Sequence, residues 1–111
     1  MTRKMTRSVL LVSIVVVMAA LGSLPVRAQD TATLYKTKCA ACHAADGSGN
    51  TVVGKQLQMK AFNDPDVAKM SDADLTMIIV NGKNKMPMYG KTLKPDEVKG
   101  LVAYTRELAK K

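Results

Sequence analysis

The sequence predicts a small all-α domain, and three observations carry that expectation. Apolar residues recur at three- and four-residue steps in stretches bounded by capping or turn residues, with no convincing period-two run between them. Cys39-Ala40-Ala41-Cys42-His43 sets two thiols and an imidazole on one helical turn. Once an apolar leader is set aside, the chain is too short to build a large core from its own side chains.

The leader comes first. Arg3, Lys4 and Arg7 give a positive start, and Ser8 to Leu24 carries no charge and is mostly Val, Leu, Ile, Met and Ala. Val26-Arg27-Ala28 follows Pro25 with small or compact residues where a signal peptidase reads. Residues 1–28 are therefore expected to be a secretory signal, cleaved before Gln29. The alternative is a retained membrane anchor. Against it, the 17-residue apolar run falls short of the roughly 20 residues that span a bilayer comfortably, and Gly22 and Pro25 weaken its helical end. No cysteine directly follows the run to carry a lipid.

Residues 29–111 then form one domain of 83 residues. Of 17 Lys and Arg, four leave with the leader while all nine acids stay, so 13 stand against 9 and the net charge is +4. The pI of 9.7 for the whole chain overstates the basicity of this domain, and nucleic-acid binding has little support beyond it. A domain this small usually needs a disulfide, metal or cofactor to be stable.

The first helix is expected from Asp30 to about Cys42, with Ala32, Leu34, Tyr35 and Lys38 along it. The Asp46-Gly47-Ser48-Gly49-Asn50 loop ends it. Ser71 with Asp74 three residues on reads as an N-cap with an acidic first turn. Leu75, Ile78 and Ile79 then make one apolar face until Asn81-Gly82 stops the helix. Pro95 fits the first position of a last helix, with Asp96 and Glu97 in its first turn and Lys110 and Lys111 at its end. Val98, Leu101, Val102, Thr105 and Leu108 form its buried face.

The Cys-Xaa-Xaa-Cys-His run is the attachment signature of a c-type haem: each thiol adds across a vinyl group of one porphyrin, and the adjacent imidazole is the proximal iron ligand. Cys39 and Cys42 would thus hold the cofactor and His43 its iron. Three rival readings remain. A thioredoxin-like dithiol belongs in an alternating strand and helix pattern, which is absent. A structural zinc site needs four ligands, and the chain offers two cysteines and one histidine. A plain disulfide is open to an exported protein. Export and small size both favour the haem.

Five methionines follow the leader: Met59, Met70, Met77, Met86 and Met88. Met77 falls inside the middle helix, and Met59 and Met70 have ordinary apolar neighbours, so all three are expected to pack in the core. Met86 precedes Pro87, which biases it to an extended conformation, in a loop between Gly82 and Gly90. It is the expected sixth iron ligand. Met88, two residues on, is the alternative.

Taken together, Tyr35 four positions before Cys39, the Cys39-to-His43 box with Asp46-Gly47-Ser48-Gly49 after it, Asn81-Gly82-Lys83 leading to Met86-Pro87-Met88-Tyr89-Gly90, and Leu93 to Tyr104 resemble the class I c-type cytochromes. The resemblance is closest to the short bacterial and photosynthetic monohaem forms and covers essentially the whole of residues 29–111. It implies a cytochrome c-like helical domain wrapped around one covalently bound haem, with first and last helices crossing near Tyr35 and Tyr104. It also implies low-spin iron held by His43 and Met86, and a role as a small electron shuttle rather than an enzyme. Two departures stand out. Thr31 occupies the place of a glycine that lets the terminal helices approach, with Ala32 as a possible substitute. Val52 occupies the place of a proline whose carbonyl accepts a hydrogen bond from the proximal imidazole, and that bears on how His43 is tuned.

His and Met ligation of a buried macrocycle raises the reduction potential, and a filled sixth position blocks oxygen and peroxide. Lys83, Lys85, Lys91 and Lys94 flank the Met86 loop, while Lys36, Lys38 and Lys55 lie near the cysteine box. They are expected to steer an acidic redox partner, or else simply to keep the protein soluble. The expected protein is a monomer with redox proteins as partners, in the periplasm rather than a thylakoid lumen because one simple signal precedes the domain. A haem enzyme or gas sensor with a labile sixth ligand, and a haem-free exported dithiol protein, are the competing functions.

Overall fold

The computed structural model describes residues 26–111, with side chains from Asp30 onward. The leader expected over residues 1–28 lies outside them except for the backbone of its last three residues. The described residues form six helices in order: α1 (Val26–Lys38), α2 (Ala40–His43), α3 (Val52–Gln56), α4 (Pro65–Ala68), α5 (Asp72–Asn81) and α6 (Pro95–Ala109). Among the described residues there is no strand, and Lys83 and Met86 form an isolated bridge. The expected all-α class is found.

The long helices begin where their capping chemistry places them. At α5, the Ser71 hydroxyl accepts from the Asp74 amide at 3.0 Å and the Asp74 carboxylate accepts from the Ser71 amide at 3.0 Å. This reciprocal pair satisfies two amides that the first turn leaves without intrahelical partners. At α6, Pro95 opens the helix and the Glu97 carboxylate accepts from the Lys94 amide at 2.7 Å. The short helices are local turns fixed by single side chains. Thr51 caps α3 by accepting from the Gly54 amide at 2.8 Å, and Asp64 caps α4 ahead of Pro65, accepting from the Asp66 amide at 2.9 Å.

The single first helix expected to Cys42 is two helices. At Cys39 the backbone leaves the helical line (φ −120°, ψ −37°), so α2 starts a new turn and carries Cys42 and His43 off the axis of α1.

α6 is the centre of the packing: α1 lies on one side of it and α5 on another. Of the face expected to be buried, Val98, Leu101, Val102 and Leu108 are buried, while Thr105 is half-buried and donates its hydroxyl back to the Leu101 carbonyl at 2.9 Å. Tyr35, Leu93, Val98, Leu101 and Leu108 form one cluster. Tyr35 and Tyr104 meet at the α1–α6 crossing with ring centroids 5.0 Å apart. The glycine that the crossing needs comes from the other helix than expected. A Cβ on Gly100 of α6 would stand 2.8 Å from the Thr31 hydroxyl of α1. The bulk added at Thr31 is thus matched by its absence at Gly100.

Arg106 fixes the start of α5 to α6. Its guanidinium donates to the Met70 carbonyl and, at 3.1 Å, to the Asp72 carboxylate.

Candidate haem site

The α1–α2 junction presents one wall of a cleft. Tyr35, buried on α1, donates its hydroxyl to the Ala44 carbonyl at 2.6 Å and so pins the chain just after His43. Ala44 itself has φ 65° and ψ 160°, a region that is almost exclusively glycine's, and it turns the chain sharply away from the imidazole. The following loop closes back on the turn: the Gly49 amide donates to the His43 carbonyl at 2.8 Å, and the Thr51 hydroxyl donates to the Cys42 carbonyl at 3.3 Å. α3 is pressed so closely on this turn that a Cβ on Gly54 would run into the carbonyl oxygens of Gly49 and Cys42.

The facing wall comes from α5 and the loop after it. Leu75 is buried, and Ile78 and Ile79 face the cleft. Gly82 (φ 73°) ends the helix. A tight turn follows, in which the Met86 amide donates to the Lys83 carbonyl at 2.9 Å and the Lys83 amide to the Met86 carbonyl at 3.3 Å. Asn84 takes the left-handed conformation the turn requires (φ 54°), one that asparagine tolerates better than most residues. The Tyr89 and Gly90 amides then donate to the Ile79 and Val80 carbonyls at 3.0 and 3.1 Å, returning the loop along the end of α5.

Between the walls lies a cavity of about 420 Å³, within the ~300–1,000 Å³ of ordinary cofactor sites. Cys39, His43, Phe62, Met86 and Tyr89 line it, over a floor that includes Tyr35, Leu93 and Leu101. A smaller adjoining lobe of about 40 Å³ is shared by Cys39, Cys42, His43, Met86 and Pro87. The box and the Met86 loop, far apart in sequence, are thus brought together.

The methionines separate. Met86 is half-buried and borders both lobes. Met88 is 71% exposed and borders neither. Met59 also borders both lobes, while Met70 lines the larger one alone. Met77, expected in the core, is instead 60% exposed, because the apolar face of α5 turns Leu75, Ile78 and Ile79 inward and the intervening position outward.

The electrostatics suit a haem better than the rival chemistries. Cys39 and Cys42 are unbonded thiols. Burial, and then the neighbouring Cys42, push the Cys39 thiol up, the opposite of what a dithiol oxidoreductase needs in its attacking cysteine. Burial pushes the His43 imidazole down, favouring the neutral form that ligates a metal. Among the described residues no cluster of three or more His, Cys, Asp or Glu could hold a metal ion by itself. Two thiols, one neutral imidazole and a thioether around an apolar cavity are the donor set a covalently attached haem takes.

One implied contact is missing. The Nδ1 of His43 is buried and has no hydrogen-bond partner, and Val52, whose carbonyl was to accept from it, is the first residue of α3 and 76% exposed. The imidazole packs instead against Phe62, ring centroids 4.9 Å apart at 33°. Sequence reasoning passed over Phe62, although it is the chain's only phenylalanine. It also gave Tyr89 no role of its own.

The cleft, its donors and the helices around it define a haem protein of the c type, and similarity to known proteins says which. The family described as cytochrome C oxidase, cbb3-type, subunit III matches residues 26–104. The chain belongs to the class I c-type cytochromes, with one covalently bound haem c as its cofactor, and it is an electron-transfer protein rather than an enzyme. It is similar to the cytochrome c6 of Gloeothece citriformis (strain PCC 7424), 35% identical over 81 residues that cover 70% of this chain and 68% of that one. It is also similar to the cytochrome c6 of Bryopsis maxima, 36% identical over 78 residues covering 66% and 82%. Among solved structures, the KustC0563 c-type cytochrome matches with a TM-score of 0.63 and 35% identity, over 70% of this chain and 95% of that one.

Proposed function

We propose that the protein is an exported one-electron carrier in which Cys39 and Cys42 hold the haem through thioether bonds and His43 and Met86 are its axial ligands. The observation that carries this reading is the two-walled cavity, with Cys39 and His43 on one side and Met86 on the other. When bound, the haem supplies reversible one-electron chemistry between ferrous and ferric iron. The chain's own residues do the rest. The cleft walls exclude water, which disfavours the additional positive charge of the ferric state. The Met86 turn and Pro87 restrict the thioether in advance, so little freedom remains to be lost when it binds.

Three features support Met86 over the other methionines. Met88 points away from both lobes. Met59 is tied to the His43 side, since its amide donates to the Gly54 carbonyl at 2.9 Å. Met70 borders the larger lobe without reaching the one shared by Cys39, Cys42 and His43. The visible spectrum of the mature holoprotein tests the assignment. The far-red methionine-to-iron band is expected in the wild type and in Met88→Ala, and is expected to vanish in Met86→Ala. A Met86→Ala protein that keeps the band sinks it, and a high-spin wild-type spectrum favours the enzyme or sensor reading.

Residues 1–28 are proposed as the export signal and residues 29–111 as the mature domain in the periplasm. No described helix is long and apolar enough to cross a membrane. Intact mass of the protein released by osmotic shock is expected to begin at Gln29; a full-length chain in the membrane fraction would favour the retained anchor.

Electron exchange is proposed at the mouth of the cleft, with an acidic redox partner. Lys83 and Lys85 border the cavity and Lys91 is exposed beyond it. On the other lip Leu57, the residue that follows α3, borders both lobes and is 38% exposed. Neutralising Lys83, Lys85 and Lys91 together is expected to slow association and flatten its salt dependence. An unchanged rate and salt slope would remove the basic rim from the account.

A further inference from the structure

The Met86 loop is held against the rest of the molecule by an uneven set of hydrogen bonds. Most of its hydrogen bonds go to itself or to α5: Lys83 with Met86, Tyr89 to Ile79, Gly90 to Val80, and Leu93 to Tyr89. All of these lie on one side of the cleft. The exception is the Tyr89 hydroxyl, which donates to the Lys38 carbonyl at 3.1 Å across 51 residues of sequence.

That carbonyl is available for a specific reason. In a continuous helix the Cys42 amide would bond to it. The break at Cys39 redirects the Cys42 amide to the Cys39 carbonyl at 3.2 Å, where the His43 amide makes its ordinary helical bond at 2.9 Å. The Lys38 carbonyl is left as one of the orphan acceptors at the end of α1, and among the described residues no backbone amide donates to it. The backbone distortion that presents the cysteines thus creates the acceptor that the Met86 loop uses. Tyr89 is three residues after Met86, its own amide is anchored to α5, and its ring borders both lobes of the cavity. The phenol therefore spans the mouth from the Met86 wall to the cysteine wall.

We propose that Tyr89 is a positioning residue that latches the Met86 loop shut and sets how readily an external ligand displaces Met86. The proposal rests on the reading of Met86 as the sixth ligand. Opening the loop breaks the Tyr89–Lys38 bond, whereas the wall carrying Cys39 and His43 is unaffected. Removing the hydroxyl alone therefore favours the open loop by the factor that one such bond is worth, about 3- to 10-fold.

The test uses the ferric holoprotein, with imidazole as the external ligand and the far-red methionine band as the signal, in the wild type, Tyr89→Phe, Met86→Ala and the double variant. Tyr89→Phe keeps the ring and its apolar contacts. It is expected to keep the methionine band and to bind imidazole about 3- to 10-fold more tightly than the wild type. In the Met86→Ala background there is no sulfur to displace, so adding Tyr89→Phe is expected to leave imidazole affinity unchanged. Persistence of the band in Met86→Ala overturns the ligand reading and the latch with it. If the band is lost there but Tyr89→Phe binds imidazole as the wild type does, the latch alone fails. It also fails if Tyr89→Phe lowers stability to guanidinium without changing imidazole affinity, or if its effect is the same size with and without Met86.

Discussion

On the His43 side of the cleft the reactive groups stand on helical backbone. Cys42 and His43 belong to α2, their carbonyls are taken by Thr51 and Gly49, and Tyr35 pins the next residue from the buried face of α1. On the Met86 side the thioether stands on a loop whose tight turn is internally bonded and whose return runs along α5, with one phenol reaching across. The first wall is backed by the helix crossing; the second is backed by a helix end. This teaches which of the two proposed ligands is built to stay and which is built to move, since local opening follows the elements with the fewest buried contacts and the most exposed hydrogen bonds.

The strongest way to break the contrast is to remove the cofactor's covalent link. Only eight described hydrophobic residues are buried, and the cavity faces of Ile78, Ile79, Phe62 and Leu57 are left for the porphyrin to cover. Cys39→Ser with Cys42→Ser is therefore expected to lose both the covalent haem and most of the folded structure. Pyridine haemochrome absorbance and far-UV circular dichroism would read the two losses. A haem-free double variant with native helicity and a cooperative thermal transition would show that the protein core suffices alone.

Next in size is the helix crossing behind the His43 wall. Gly100→Val puts a branched side chain where even a Cβ meets the Thr31 hydroxyl, and is expected to cost about 1–3 kcal/mol by overpacking. Thr31→Gly is expected to recover much of that loss in the double variant, because the two positions share one space. Additive losses in guanidinium unfolding would mean that the crossing does not depend on this pair.

A smaller change in the opposite direction sharpens the comparison. Ala44 holds a conformation essentially reserved for glycine immediately after His43, and such strain is worth of order 1–3 kcal/mol. Ala44→Gly relieves it while giving the unfolded chain more freedom, so a net gain of about 1 kcal/mol is expected. A loss of stability would show that the buried methyl of Ala44 outweighs its backbone strain.

How much of this was legible in the sequence follows the range of the interactions. α5 and α6 announce themselves because Ser71, Asp74 and Glu97 accept from amides within three residues of themselves and Pro95 presets the first turn. The cysteine box announces itself for the same reason. The break at Cys39 was not legible, since Ala40 and Ala41 favour helix and nothing local opposes it. α3 and α4 are too short to show a period, and their caps, Thr51 and Asp64, read equally well as loop residues. Thr31 was noticed as a departure, but its answer at Gly100 lies 69 positions away, and only the fold pairs them. Phe62 against His43 and Tyr89 on Lys38 are likewise long-range, with no spacing rule to reveal them.

The smallest expected effect concerns the helix that backs the Met86 wall. The Asp74 carboxylate accepts from the Ser71 hydroxyl and amide, and those hydrogen bonds hold it below the usual carboxylate range. A group depressed in the folded state binds fewer protons there than in the unfolded chain, so it adds stability above its unfolded value of about 3.9 and loses it as pH falls through the folded value. Asp74→Asn keeps an acceptor oxygen for the Ser71 amide but cannot titrate. Below about pH 4 its stability is expected to fall less steeply than that of the wild type, while at neutral pH the two differ little because Asp74 is fully exposed. Parallel acid limbs would assign the acid sensitivity elsewhere, with Asp66 next in line through its 2.5 Å bond to Lys60. That pair sits on the segment between α3 and α5, so the comparison of acid limbs also reports which side of the cleft yields first when carboxylates are protonated.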